Sequence, residues 1–301
     1  MAAPAVGPHR RLRRAVLVTA PAVAREIRYI GVDGSVWHLH GGEHMGAEGV
    51  YLTSLAGFYH PVRVPLSQTP AYMRGAIPGP SKTDPSIIDM RIFTSARDDA
   101  EWEDVESAWW NAWSDEEDGL LIAGDRRGGT REQPIRLQRY PAEPFDFEPE
   151  TEMEWVLPTI AYSPGWRGQM LTSEWKNTDG TGIGTLNLAN PGDIEIWAQF
   201  SGWGQTGVRV TLPDGIAGDT RQLPEFTDGD HWLVDPDMTT GVNIDTVTET
   251  QAAALMAGML FRHPIPPRTT EPVSVPVSAT GGNTATEVKV FMTPLFKRPW
   301  G

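Results

Sequence analysis

Short runs of alternating apolar and polar residues, each closed by Gly, Pro, Asn or Asp, recur along this 301-residue chain. A period of two sends successive side chains to opposite faces of an extended strand, so each run can bury one face and wet the other. In "EIRYIGVDGSVWHLHG" two such runs flank Asp33–Gly34, the pair that suits a tight type I′ turn, and a hairpin is predicted there. Further strands are predicted at "IIDMRIF" (87–93), "PIRLQRY" (134–140), "EWVLPTIAY" (154–162), "GTLNLAN" (184–190), "IEIWAQF" (194–200), "GVRVTL" (207–212) and "EVKVFMTPLF" (287–296). So many brief strands predict sandwiches or barrels.

Only two segments read as helical. In "DDAEWEDVESAWWNAWSDEEDG" (98–119), Asp98 can cap the first turn, with Glu101 three residues on and early carboxylates favouring the positive end of the helix dipole. Trp102, Val105, Trp109 and Trp113 fall on one side of such a helix and are its candidate core, while the acids mostly lie elsewhere and Asp118–Gly119 is expected to end it. That stretch holds four tryptophans and ten carboxylates without one Lys or Arg. Its aromatic side is expected to pack on a sheet, and its acidic side to be wet or to meet something basic. The second helix is expected at "TETQAAALMAGM" (248–259), apolar enough to lie against a sandwich.

The length allows two domains, each with its own core. "YPAEPFDFEPETE" (140–152) interrupts the strand pattern with three prolines and several acids, so the join is placed near residue 150, giving domains 1–149 and 150–301. "FRHPIPPRTTEPVSVPVSATGGNTA" (261–285) is expected to be an extended loop or an edge crossing.

A formal net charge of −14 argues against a broad nucleic-acid surface, because phosphate contacts need a concentrated basic face. The one dense basic cluster is Arg10, Arg11, Arg13 and Arg14, either a solvated arm or a contact for an acidic neighbour. The apolar run behind it resembles a signal peptide in outline, but Pro21 and the charged Arg25–Glu26–Ile27–Arg28 stretch bound it too closely, and it reads as a strand with a basic leader. No stretch approaches the ~18–20 apolar residues of a membrane span. The absence of cysteine excludes disulfides, thiolate catalysis, iron–sulfur ligation and a Cys-type zinc site.

Chemistry-bearing motifs are sparse. His38 and His40 flank Leu39 on one strand and His44 follows a Gly–Gly turn, a set that could hold zinc or simply line a polar sheet face. Asp235, Asp237 and Asp245 lack the spacing of an EF-hand loop and read as turn chemistry. No G-x-S-x-G, H-E-x-x-H or G-x-x-x-x-G-K-[ST] occurs, and "GTGIG" (180–184) precedes a strand rather than the helix a phosphate would need. A pair of glycosidase carboxylates remains open among 39 acids, since such pairs are spatial. Trp197, Trp203 and Trp232 could build a sugar platform, or fill a core or anchor an interface.

The order of "DGSVWHLHG", "GVYLTSLAGFYHPVRVP", "WEDVESAWWNAW" and "GLLIAGDRRGGTREQPIRLQRYP", then "GTLNLANPGDIEIWAQFSGWG", "VRVTLPDG", "FRHPIPPRTT" and "FMTPLFKRPWG", resembles the distal tail proteins of long-tailed phages, particularly minor tail proteins of actinobacteriophages. The resemblance implies a mainly β chain: an N-terminal belt-type β-sandwich with a helix that closes into a hexameric ring, and a C-terminal galectin-like β-sandwich projecting outward. It implies a non-enzymatic virion component without cofactor or metal, made in the host cytoplasm. Such a ring joins the tail tube to the tail-tip hub and adsorption apparatus. Its partners would be copies of itself, the tail tube protein, the hub protein and other minor tail proteins, with the tape measure protein as a further neighbour to consider. The alternative is a carbohydrate-binding module used in host-surface recognition, with a hydrolase third.

A ring subunit must present two unlike, complementary surfaces. Candidate contacts are Asp98, Asp99, Glu103, Asp104 and Glu106 on the acidic side and Arg10, Arg11, Arg13, Arg14, Arg126, Arg127 and Arg131 on the basic side; the alternative for the helix is a solvated face. Trp300, almost at the chain end, is expected to dock on its own domain or on a neighbour.

Overall fold

The computed structural model describes residues 25–69, 71–72, 74–125, 129–142, 151–237, 243–246 and 260–301. The expected helix at 248–259, the basic cluster Arg10 to Arg14, Arg126, Arg127 and most of the 140–152 join lie outside them. In chain order the elements are β1 (Glu26–Ile30), β2 (Val36–His40), β3 (Val50–Ala56), β4 (Arg63–Gln68), β5 (Ile77–Thr83), β6 (Ser86–Ser95), α1 (Asp99–Asn111), β7 (Gly119–Gly124), β8 (Thr130–Leu137), β9 (Glu152–Ala161) and β10 (Trp166–Arg167). They continue as β11 (Leu171–Lys176), β12 (Ile183–Asn190), β13 (Gln199–Trp203), β14 (Arg209–Pro213), β15 (Thr220–Gln222), β16 (His231–Asp235), β17 (Asn243–Thr246), β18 (Thr269–Thr280), β19 (Glu287–Met292) and β20 (Leu295–Phe296). The fold is mainly β.

The first sheet runs β2-β1-β7-β8-β9-β6-β3, antiparallel at each of these pairings. Its β8 changes partner along its length, pairing with β7 up to Ile135 and with β9 from Arg136. Ile27 and Tyr29 of β1, Met90 and Ile92 of β6, Leu121 of β7 and Leu157 of β9 meet Trp109 of α1 and Trp113 just beyond it in one core. β9 begins after residue 150, yet it pairs with β6 and β8 and its buried Trp155, Leu157 and Ala161 belong to this core. The second core starts at Trp175 and lies between a five-stranded sheet, β11-β19-β13-β16-β17, and a four-stranded sheet, β12-β18-β14-β15. Phe200, Trp232 and Val290 face Leu186, Leu212 and Val277 across it, which makes this unit a β-sandwich.

Several predicted elements change on folding. The β1–β2 hairpin forms, but its loop has five residues rather than a two-residue type I′ turn: the Gly34 amide donates to the Gly31 carbonyl and only Gly34 takes a positive φ. Asp33 keeps a negative φ because its carboxylate instead accepts from the Ser35 amide (2.9 Å) and hydroxyl (2.6 Å). α1 stops at Asn111, with Ala112 as its C-cap, well before Asp118–Gly119. Of the predicted strand 194–200 only the end enters β13, since residues 191–198 carry the chain from one sheet to the other. The fully buried Asn190 fastens that crossing, donating to the Ile194 carbonyl (2.9 Å) and accepting from Gly192 (2.9 Å).

The Pro-rich 261–285 segment is not a loop throughout, and it is an edge over part of its length. It contains β18, which lies between β12 and β14. Pairing to β14 covers only residues 278–280, so Pro272 and Pro276 sit where the strand has a partner on one side alone, a setting that tolerates a missing N–H. The last predicted strand splits at Thr293–Pro294: β19 stays in the sandwich, while β20 pairs with β10, which pairs in turn with β8. The chain end thereby returns to the first unit.

Candidate assembly surfaces

α1 is built as a wedge. Asp98 accepts from the Glu101 amide (3.0 Å) as N-cap, and Glu101 reaches back to the amide of Arg97 (2.9 Å) and to its guanidinium, one residue earlier than a reciprocal capping box would have it. The Arg97 hydrogen bonds hold the Glu101 carboxyl below its ordinary range. Trp102 donates to Thr94 Oγ1 (3.2 Å), Trp110 stands edge-on to Trp155, and Trp109 and Trp113 enter the core against Tyr29, with Trp113 stacked on its ring at 4.0 Å. Tyr29 closes the arrangement by donating to the Ala112 carbonyl (2.9 Å); burial, and then the charges of Asp33 and Asp118, push its phenol far above the ordinary range. Gly119 follows because a Cβ there would strike the Tyr29 ring.

The outer side of α1 is acidic and little paired. Asp99, Glu103 and Asp104 are exposed and make no ion pair among the described residues, while Glu106 accepts from the Trp110 indole (2.7 Å). Asp118 is taken by Arg136 (2.6 Å).

Among the predicted basic contacts, Arg131 is the one described, and it is engaged within the chain. Its guanidinium stacks over Phe296 at 3.6 Å and donates to the carbonyls of Arg298 (2.7 Å) and Gly301 (2.9 Å). Burial, opposed by Asp193 and Asp125, lowers its pKa. The clasp seats Trp300 on the first unit, against Phe58 (5.3 Å) and Tyr59 (6.1 Å), with the Arg25 guanidinium 4.5 Å from its ring. Because the indole is only partly buried, deleting residues 298–301 is expected to destabilise the first unit by about 1–3 kcal/mol. A denaturation midpoint that does not move would show the clasp to be idle.

One fully exposed element carries no recognisable motif. β4 and β5 form a two-stranded sheet of their own, and all of β4 is exposed. Its signal was the alternation of Val62, Val64 and Leu66, interrupted by Pro65 and bounded by Pro61 and Pro70.

The histidines make a small polar cluster, His38 bonding Glu48 (2.7 Å) with His44 at 5.4 Å, and no group of metal-ligand residues gathers among the described residues. Burial opposes ionisation of Glu48, but the amide and ring of His38 outweigh it and hold its pKa low. Asp235 accepts from the Asp237 amide (3.0 Å), as a turn would have it. Of the three tryptophans considered for sugar, Trp232 is buried and Trp197 partly so; Trp203 alone offers its ring, 52% exposed beside His231. No helix among the described residues is long and apolar enough to cross a membrane.

No protein-family model matches the sequence, and no curated protein matches it. Solved structures do. The SPP1 Dit (gp 19.1) protein, a paradigm of the hub adsorption apparatus in phages infecting Gram-positive hosts, aligns with 89% of this chain and 98% of its own at 11% identity, with a TM-score of 0.57. A chain of the phage P2 baseplate in its activated conformation with Ca aligns with 90% of this chain and 98% of its own at 10% identity, TM-score 0.56. The same baseplate with Sr gives 89% and 97% at 10% identity, TM-score 0.52. The fold is thus that of phage tail-hub and baseplate proteins, and the likeness extends over both cores.

Proposed function

We propose that this chain is a non-catalytic structural protein of a phage virion, forming a hexameric ring at the distal end of the tail. The ring joins the tail tube to the tail-tip hub and adsorption apparatus, with other minor tail proteins around it. One observation supports the reading: the likeness to the SPP1 Dit protein takes in nearly all of both chains. The two cores act as two domains, a ring-forming first unit and an outward galectin-like sandwich, with their join between β10 and β11 rather than near 150. Asp99, Glu103, Asp104 and Glu106 then belong to the subunit contact, with Arg10, Arg11, Arg13, Arg14, Arg126 and Arg127 among its basic candidates. The test is native mass determination with negative-stain imaging of the full chain. Sixfold rings are expected; a monomer at every concentration, or a ring of another order, would count against it.

A further inference from the structure

One aromatic ring stands apart from the others. Of the twelve tryptophans eleven are buried or partly buried, and Trp203 alone is exposed. It ends β13 on the outer face of the five-stranded sheet, because Phe200 and Gly202 take the inward positions, Phe200 in the second core and Gly202 where a Cβ would strike the Trp232 ring. Trp203 thereby forgoes the burial that the other eleven obtain.

Register assembles a row of side chains around it. Trp203 pairs with His231 of β16, whose ring stands edge-on at 5.0 Å. Gly202 pairs with Val288 of β19, so Glu287 comes beside Trp203 on the same outer face, and Glu287 pairs in turn with Lys176 of β11. His231, Trp203, Glu287 and Lys176 therefore lie side by side on four strands, ~14 Å from end to end. Behind the last two, Lys289 pairs with Glu174. The four charged side chains close a ladder: Lys176 lies 3.1 Å from Glu174 and 3.6 Å from Glu287, and Lys289 lies 3.6 Å from Glu174 and 3.7 Å from Glu287.

Charge and hydrogen bonding then select the occupant. The ladder sums to zero, so it favours neither an anion nor a cation, yet its carboxylates keep free lone pairs and its ammonium groups keep free protons. Lys176, Lys289 and Glu174 are exposed and Glu287 is half-buried, so these groups are within reach from solvent. What fits such a row beside an indole is an uncharged molecule with one apolar face and a rim of hydroxyls. A pyranose ring has that form: its axial C–H bonds lie on the negative face of the π system, while its hydroxyls donate to Glu287 and accept from Lys176. A protein side chain matches less well, since covering Trp203 would take the ladder out of water with no hydroxyls to replace the lost hydrogen bonds.

We infer that this face binds a neutral saccharide, one sugar ring stacked on Trp203 between His231 and Glu287 and the next reaching Lys176 and Lys289. This is a binding activity beyond the ring reading and independent of it. The experiment uses the full chain on an array of neutral gluco-, galacto- and manno-oligosaccharides with uronic-acid and sialylated oligosaccharides beside them, followed by calorimetric titration of the strongest neutral binder. The wild type is expected to bind a neutral oligosaccharide, and W203A to bind it about tenfold or more weakly with its melting temperature unchanged. W203F should lie between the two, and E287Q should weaken binding while leaving the ring stack in place. Binding of no neutral oligosaccharide, binding of acidic ones alone, or a W203A chain that binds as well as the wild type would overturn the site. Native mass of W203A covers the competing role: a variant that folds but no longer forms the wild type's rings would make Trp203 a subunit contact and sink the saccharide site. A wild type that binds the oligosaccharide yet stays monomeric at every concentration keeps this site and removes the ring reading.

Discussion

Replacing Trp109 with alanine is expected to cost the first core about 3–5 kcal/mol, the range for deleting a large aromatic from a site that cannot collapse. Trp109 has no exposed surface and stands edge-on to three rings, Tyr29 at 5.9 Å, Trp37 at 5.0 Å and Trp113 at 5.5 Å. These rings come from β1, β2 and the end of α1, so the indole joins the helix to the sheet, and no single neighbour can move to fill its place. A loss of that size is comparable to the whole stability of many domains. Trp109→Phe should be much milder: the Trp109 indole N–H is buried without a hydrogen-bond partner, so the smaller ring also removes an unpaired donor that costs about 1–3 kcal/mol. Urea unfolding of both variants, followed by near-ultraviolet circular dichroism, checks the pair. Equal midpoints for Trp109→Ala and the wild type would mean that the ring is not packed as described.

The parts of this architecture that were legible in the sequence are those fixed locally. Period-two alternation marked β6, β9, β12 and β14 because each buries one face, and Asp98 marked the start of α1 because capping needs only the next three residues. What misled was tertiary. The acids of 98–118 suggested one continuous helix, but the chain must leave α1 at Ala112 so that Tyr29 can bond its carbonyl and Trp113 can stack on the ring. Prolines at 272 and 276 suggested a loop or an edge, and β18 is an edge where they stand because β14 does not reach them; its place between two strands further on was not legible. Of the returning C-terminus only the docking of Trp300 was legible; its pairing with the first unit was not, because the register of Arg167 with Leu295 is set by how the two units meet.

The candidate contacts divide in the same way. An excess of carboxylates on α1 is a property of the sequence, whereas which cation meets them depends on where the cations are held. Arg131 is a predicted contact and Arg136 is not, yet folding engages both within the chain. It gives Arg131 to the carbonyls of Arg298 and Gly301 and Arg136 to Asp118, so neither is left for the acidic face of α1.

Removing the charge of Arg221 is expected to have the second large effect, on the other core. The Asp214 side chain is fully buried; one of its oxygens accepts from the amides of Arg262 (2.9 Å) and His263 (3.0 Å), and the other has the Arg221 guanidinium at 2.6 Å and His263 Nδ1 at 3.4 Å. The 2.6 Å approach is an ion pair without the alignment of a good hydrogen bond, so Coulomb attraction is what offsets desolvation of that oxygen. Arg221→Met therefore leaves a buried carboxylate without its counter-charge, held only by the two amides and His263, at a cost of about 3 kcal/mol, while Asp214→Asn combined with Arg221→Met removes both charges and should recover most of it. If the double variant is no more stable than the single one, the ion pair is not the source of the loss. Asp214 and Trp109 belong to separate cores with no shared partner, so their effects should add, and each should shift a different unfolding transition. A single transition moved equally by both would mean that the returning C-terminal strand couples the two units into one cooperative body, and the second core could then not yield without disturbing the first sheet.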